Sequence, residues 1–244
     1  MTKTSIFMIL TVCLLTVICY SGYQIWNIEA QYQEEASIHR TVMEYKPVTE
    51  WKQNGTQKNA TEIVVYQSVM ALQEEYLDAV GWLTVPNTKI DYPFMWYKDN
   101  DYYLNRDING NDALAGTLFM DYRCETDFTS QNTVIYGHHM KNDSMFGTLK
   151  AFDDQAFFDE NKHGTIYLSH AILTLEIFAY MVVDPATERE IYNIELSETF
   201  FDYVKQNARH FRDLGLTDRD KIVTLSTCAY EFDNARMVLL AKSS

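Results

Sequence analysis

Cysteine is scarce in this chain, and its distribution limits what the few present can do. Of four cysteines, Cys13 and Cys19 fall in an apolar N-terminal segment, which leaves Cys124 and Cys228 for the rest. Two cysteines cannot build a disulfide framework. They could form one bridge, at the cost of Cys228 as a nucleophile. Positive charge is also thin: 20 Lys and Arg stand against 34 Asp and Glu, a net charge of −14. Phosphate backbones need a basic surface, so no nucleic acid is expected as a partner. The cysteines and histidines lack metal-ligand spacing such as C-x-x-C or H-E-x-x-H, and there is no G-x-x-x-x-G-K phosphate loop. No metal site is therefore expected. There is no internal repeat and no low-complexity tract.

What is present suits one domain of ordinary size with an anchor. The chain has 244 residues, 47% hydrophobic and 14% aromatic, enough to bury a core. Ile6–Trp26 is a nearly unbroken apolar stretch of 21 residues, close to the ~20 that span a bilayer as a helix. Lys3 precedes it; Glu29, Glu34 and Glu35 follow, and the next basic residue is Arg40. Positive charge inside then predicts a single-pass protein with a cytoplasmic N-terminus and an extracellular body. The rival reading is a cleaved signal peptide, but no Ala-x-Ala-like site follows. Ile28–Tyr45 reads as a polar stalk helix ended by Lys46-Pro47. Trp51–Ala60 reads as a linker, and Thr61–Leu77 as a second helix with Val65, Met70 and Leu72 among its apolar positions. The expected segments are 1–27 as a transmembrane signal-anchor, 28–79 as helices and linker, and 80–244 as the main body.

From Val80 short β-type runs alternate with turns: Gly81–Val85, Tyr92–Trp96, Gly116–Met120, Thr133–Tyr136, Thr165–Leu168, Leu173–Val183, Ile222–Thr227 and Met237–Ala241. About eight strands predict a barrel or sandwich. Helical inserts are expected at Met145–Phe152, Gln155–Asn161 and Ser197–Ala208. In the last, Ser197 is a candidate N-cap, and Phe200, Phe201 and Val204 supply an apolar face.

Two stretches carry candidate chemistry. In Thr224–Arg236 an apolar run ends at Cys228, a polar turn follows with Asp233-Asn234 as its signal, and a second apolar run closes the chain. Such a pair reads as a hairpin, which places Arg236 across from Cys228. In Val134–Met140 an apolar strand ends at Gly137 with His138 at its tip. Together these supply a nucleophile, an acid/base and a fixed cation. Thr-Leu-x-Thr-Cys with Arg236 eight residues on, preceded by Tyr-Gly-His, resembles the sortases, and class B in particular. The runs Lys98–Arg106 and Gly116–Arg123 are similar to that class too. The resemblance covers Val80 to Lys242.

The resemblance implies a mainly β fold with added helices: a closed eight-stranded barrel, N-terminal helices, and a helix before the seventh strand, which Ser197–Ala208 suits. It implies a membrane-anchored cysteine transpeptidase, of the cysteine-peptidase type, on a Gram-positive cell surface. The expected substrates are surface proteins with a C-terminal sorting signal similar to Asn-Pro-x-Thr-Asn or Pro-Pro-x-Thr-Gly, cleaved after Thr through a thioester. A peptidoglycan stem peptide or its lipid-linked precursor would supply the amine. No cofactor is expected. Cys228 is the nucleophile, His138 the general acid and base, and Arg236 the oxyanion-holding cation. A thiol at about 8.5 and an imidazole at about 6.5 would both be in their active forms in under ~1% of molecules at pH 7; a neighbouring cation favours the thiolate.

Each assignment has a plainer rival. Cys124 reads as a small buried hydrophobe. His139 competes with His138, but neighbours on a strand face opposite ways, and the motif selects His138. His39, His163, His170 and His210 have no motif around them and read as surface or structural. Arg236 could pair with Asp233 or Glu231, and Asp233 is also a candidate orienting group. Ser226, Thr227 and Leu104 are candidate peptide contacts, with ordinary core packing as the alternative. Three activities follow: the transpeptidase, with pilin linking as a variant; an endopeptidase that uses the same residues and ends with water; and a non-catalytic surface binding module.

Overall fold

The computed structural model describes residues 3–48, 58–228 and 234–244. Most of the expected linker Trp51–Ala60, together with Glu231 and Asp233, lies outside the described residues. The chain divides into two compact units, Met1–Thr41 and Val42–Ser244.

The first unit is one helix. α1 runs unbroken over Lys3–Val42, so the apolar segment and the polar stalk are continuous. It holds a window of mean hydropathy 1.8, none of it buried, and by length and composition it is able to cross a bilayer.

In the second unit a 3-10 turn, Met43–Tyr45, leads to Lys46, whose ψ of 126° is extended, as expected before proline. Lys46 pairs with Asp91 at 2.5 Å, and Asp91 also accepts the Trp82 indole N–H at 2.8 Å. Helix α2 spans Lys58–Glu75 and starts three residues before the expected Thr61. Its buried face is Val65, Val69 and Leu72, a 4–3 helical spacing. Met70, expected among the apolar positions, is 49% exposed.

The strands are β1 (Ala79–Thr84), β2 (Asp91–Trp96), β3 (Leu118–Met120), β4 (Asn132–Tyr136), β5 (His163–Leu168), β6 (Ile172–Val183), β7 (His210–Phe211), β8 (Lys221–Cys228) and β9 (Arg236–Ser243). Eight form a closed barrel in the order β5-β1-β2-β3-β4-β8-β9-β6, with β6 returning to β5. Closure leaves no unpaired barrel edge. The two-residue β7 adds to β6 outside the ring and was not expected from the sequence. The pairs β2–β3 and β4–β8 are parallel; the other pairs are antiparallel. Trp82, Leu83, Phe94, Met95, Val134, Ile135 and Phe146 are fully buried.

The expected helical inserts are a 3-10 stretch at Gly147–Asp153, α3 at Gln155–Glu160 and α4 at Phe200–Asn207. α4 lies between β6 and β8, which is the seventh strand of the barrel. Phe200 and Val204, one turn apart, are fully buried against Phe178, Ile191, Ile222, Val238 and Leu240, with Phe201 packed at the margin. Each such burial is worth about 1.5–3 kcal/mol. Ser197 does not cap this helix. The capping position is Thr199, whose side chain makes no capping hydrogen bond. Ser197 lies two residues before that position, and its Oγ donates to the Glu190 carboxylate.

Candidate active site

Three neighbouring strands set the site. β4 and β8 run parallel, with Tyr136 opposite Ser226. Two residues further on, both chains reach the same level, at His138 and Cys228. β8 and β9 run antiparallel, with Cys228 opposite Arg236. The expected hairpin pairing is therefore present, and Asn234 turns with a φ of +63°. A strand register thus brings the backbone positions of His138, Cys228 and Arg236 to one end of the barrel.

His138 is held from several sides. The Gly137 N–H donates to the Ser226 carbonyl at 3.2 Å and the Phe146 N–H to the His138 carbonyl at 2.9 Å. Gly137 is a close approach: a Cβ there would sit 2.3 Å from Leu118 Cδ2 and 2.9 Å from Phe146 Cδ2. His138 Nε2 lies 2.6 Å from the Leu104 carbonyl oxygen. A carbonyl only accepts, so Nε2 carries the hydrogen of this contact. His139 instead forms a bridge with Met145.

Leu104 enters the site through its carbonyl rather than its side chain alone. It sits in the 3-10 turn Tyr103–Asn105, which packs directly on Gly116. There φ is +57°, and an added Cβ would meet the Leu104 and Tyr103 carbonyl oxygens at 2.4 and 2.6 Å. The Thr117 N–H donates to Tyr103 and the Ala113 N–H to Asn105. The Leu104 side chain is 37% exposed.

The Arg236 guanidinium donates to the carbonyls of Asn234 and Ala235 at 3.1 and 3.0 Å, and stands half-buried at the start of β9. Ser226 and Thr227 are both buried. Ser226 Oγ shares a hydrogen bond with the Tyr192 hydroxyl at 3.0 Å. Thr227 Oγ1 is buried without a hydrogen-bond partner among the described residues, on the opposite face of β8. Cys124 is buried, with Sγ 3.6 Å from the Asn132 carbonyl and accepting the Val134 N–H at 3.5 Å. Burial pushes its thiol up to about 11, which leaves it a neutral core side chain.

A polar cluster beside His138 was not assigned from the sequence. Asp121, with no exposed side-chain surface, accepts from Arg123 Nε and a second guanidinium nitrogen, each at 2.8 Å. It also accepts the Tyr136 hydroxyl at 2.9 Å and the Asn100 amide at 3.1 Å. Burial pushes the Asp121 carboxyl up, but the Arg123 and Tyr136 bonds outweigh it and hold it below the ordinary carboxylate value. Tyr136 is raised above the usual phenol value, first by burial and then by the Asp121 charge. Asn100, Asp121 and Arg123 lie within the two runs that carried the family resemblance, the only sequence signal that pointed at them. Among the described residues no group of His, Cys, Asp and Glu could hold a metal ion.

Comparison with known proteins agrees with this architecture. The sortase domain family matches residues 83–244. Sortase B of Listeria monocytogenes is 34% identical over 96% of this chain and 94% of its own length. A cysteine-to-serine mutant form of Clostridium perfringens sortase B shares the fold with a TM-score of 0.75 and 30% identity, over 84% of this chain and 96% of that one. A Streptococcus pyogenes class B sortase involved in pilus biogenesis matches with a TM-score of 0.67 and 30% identity, over 72% of this chain and 97% of that one. The barrel, the family match and the near full-length relative place this chain in the sortase family, class B, as a cysteine transpeptidase.

Proposed function

We propose that the protein cleaves a C-terminal sorting signal after its Thr and joins the released carboxyl end to a peptidoglycan amine. The observation that carries this reading is the strand register: His138, Cys228 and Arg236 close three adjacent strands at one level. In the first half, the Cys228 thiolate attacks the Thr carbonyl. The negative oxygen that develops is held by Arg236, which stays charged throughout. His138 gives a proton to the departing amine, the peptide C–N bond breaks, and a thioester on Cys228 remains. In the second half, neutral His138 takes a proton from the incoming amine. The new amide forms, and Cys228 leaves as thiolate. Leu104 and Ser226, which shares the Cys228 face of β8, line the approach of the peptide in this reading; Thr227, buried on the opposite face, packs instead.

α1 is the membrane anchor in the same reading, with residues 1–27 in the bilayer, 28–79 as helices and linker, and 80–244 as the catalytic body outside the cell. Lys3 before the apolar run and the acids after it support that orientation. A pilin subunit is the second candidate cargo, since one similar class B enzyme is involved in pilus biogenesis.

The test is product analysis. The full chain in detergent is incubated with a panel of sorting-motif peptides, with and without a diaminopimelate-containing stem peptide, and Cys228→Ala serves as control. Cleavage after Thr with an amide-joined product supports the transpeptidase. Free acid alone at high acceptor concentration supports the endopeptidase. Peptide binding unaltered by Cys228→Ala, with no turnover, supports a binding module and ends the catalytic reading.

A further inference from the structure

The connection between β6 and β8 is held to the barrel by an unusual series of captures. Asn132 Nδ2 donates to the carbonyls of Ile191 and Asn193 at 3.0 and 2.9 Å. The Asn132 backbone N–H donates to the Ile194 carbonyl at 3.0 Å. Between them, the Arg123 guanidinium donates to the Tyr192 carbonyl at 3.0 Å. Gln131 Oε1 accepts the Leu196 N–H at 3.0 Å. Four successive carbonyls, 191 to 194, are thus taken by β4 and by Arg123. Arg123 is the outlier, because its position rests on a carboxylate with no exposed surface. Asp121 binds it through two parallel N–H···O bonds, a geometry that fixes the guanidinium plane.

The same Asp121 holds the Tyr136 hydroxyl. Tyr136 and Tyr192 are stacked, with ring centroids 6.3 Å apart. The Tyr192 hydroxyl meets Ser226 Oγ. One ion pair therefore reaches three places: Tyr136, two residues before His138; the backbone of Tyr192; and, through the Tyr192 ring, Ser226, two residues before Cys228. A solvated surface pair would reach none of them.

We infer that the Asp121–Arg123 pair positions the Tyr192 segment against the end of β8 and thereby sets the width of the peptide approach. Arg123 and Asp121 are positioning residues: they act through Tyr192, Tyr136 and Ser226. This rests on the proposed reading of Cys228, His138 and Arg236 as the reactive centre. The role requires a cation with several donors. Lysine opposite Asp121 keeps the charge but cannot serve the carboxylate with two parallel bonds and the Tyr192 carbonyl as well.

The discriminating variant is therefore Arg123→Lys, which keeps the buried carboxylate paired and spares the fold. Arg123→Gln, which strands that carboxylate, is a less clean probe. Four full-length proteins in detergent are compared: the parent, Arg123→Lys, Tyr192→Phe and the double variant. Turnover of a sorting-motif peptide is read as KM and kcat, and amide hydrogen exchange is read over residues 186–197. In Arg123→Lys we expect KM to rise about ten-fold with kcat within about two-fold, the pattern of lost binding rather than lost chemistry. Exchange over 186–197 should quicken while that of the barrel strands is unchanged. Because both substitutions act through one segment, their effects on kcat/KM should be less than additive. Parent-like KM and parent-like exchange in Arg123→Lys overturn the inference, as do strictly additive effects. If the parent itself shows no turnover that Cys228→Ala abolishes, the reading of the reactive centre fails. The exchange measurement still decides whether Arg123 holds the segment.

Discussion

Gly116→Ala is the sharpest test of how His138 is held. The residue lies 22 positions from His138 in sequence and reaches it through the Tyr103–Asn105 turn. Two costs combine. With φ at +57°, an L-residue pays about 1–2 kcal/mol for the left-handed region. The new Cβ would also stand 2.4 Å from one carbonyl oxygen and 2.6 Å from another. These are backbone atoms that no side-chain rotation can move. Relief must come from displacement of the turn, at about 1–3 kcal/mol. The sum is about 2–5 kcal/mol, or a fall in Tm of about 4 to 20 °C at ~2–4 °C per kcal/mol for a unit of this size. The turn carries the Leu104 carbonyl that accepts from His138 Nε2. A shift of about 1 Å there is expected to lower kcat/KM by ~100-fold. Gly215→Ala is the control: φ is +64°, but nothing lies within 4 Å of the added Cβ. It should lower Tm by the conformational cost alone and leave turnover intact. Thermal melts followed by circular dichroism, with peptide turnover below the transition, read both. If Gly116→Ala matches Gly215→Ala in Tm and keeps parent turnover, the Leu104 contact does not orient His138.

Three further outcomes follow. His138→Gln should abolish peptide turnover and His139→Gln should retain most of it, because only His138 makes the Leu104 contact; equal losses would mean the pair shares one role. Cys124 should resist iodoacetamide at pH 8 in the folded protein, where a thiol at about 11 is ~0.1% thiolate; mass spectrometry of tryptic peptides reads this, and rapid labelling would show that its burial is not maintained. Asp121, held below its ordinary 3.8, contributes stability that is complete above that unfolded value and lost as pH falls through its folded value. The gap in unfolding free energy between the parent and Asp121→Asn should be flat at neutral pH and close on acidification below about pH 4; a gap that widens on acidification would contradict the sign.

What the sequence revealed depended on the distance over which each feature is decided. The eight barrel strands were legible because short apolar β-type runs bounded by turn residues are a local signal, even though most of these strands are buried along nearly their whole length. The opposition of Cys228 and Arg236 was legible because a hairpin fixes its own register. By contrast, the level of His138 depends on a parallel pairing of Tyr136 with Ser226. Nothing local encodes that pairing across 90 residues, and only the resemblance of Tyr-Gly-His supplied it. The misses have the same origin. Ser197 has the chemistry of a cap, but the helix starts at Phe200, too late for it to reach the first turn, and its hydroxyl donates to Glu190, seven residues earlier. Met70 reads as apolar helix face, yet the burial pattern of α2 follows Val65, Val69 and Leu72. Asp121 is the most instructive. Nothing in its neighbours along the chain marks it for burial. Its burial is tolerable only because Arg123, Tyr136 and Asn100 converge on it from three parts of the chain. Removing a carboxylate from water costs several kcal/mol, and no single neighbour offsets that; the closed barrel does so by bringing all three donors to one point. Residues of this kind, polar, buried and satisfied only in three dimensions, escape a reading that assigns each side chain from its neighbours in sequence. In this protein Asp121 bonds to Tyr136 at the end of β4 and reaches Ser226 near the end of β8 through two side chains, Tyr136 and Tyr192, beside the proposed site.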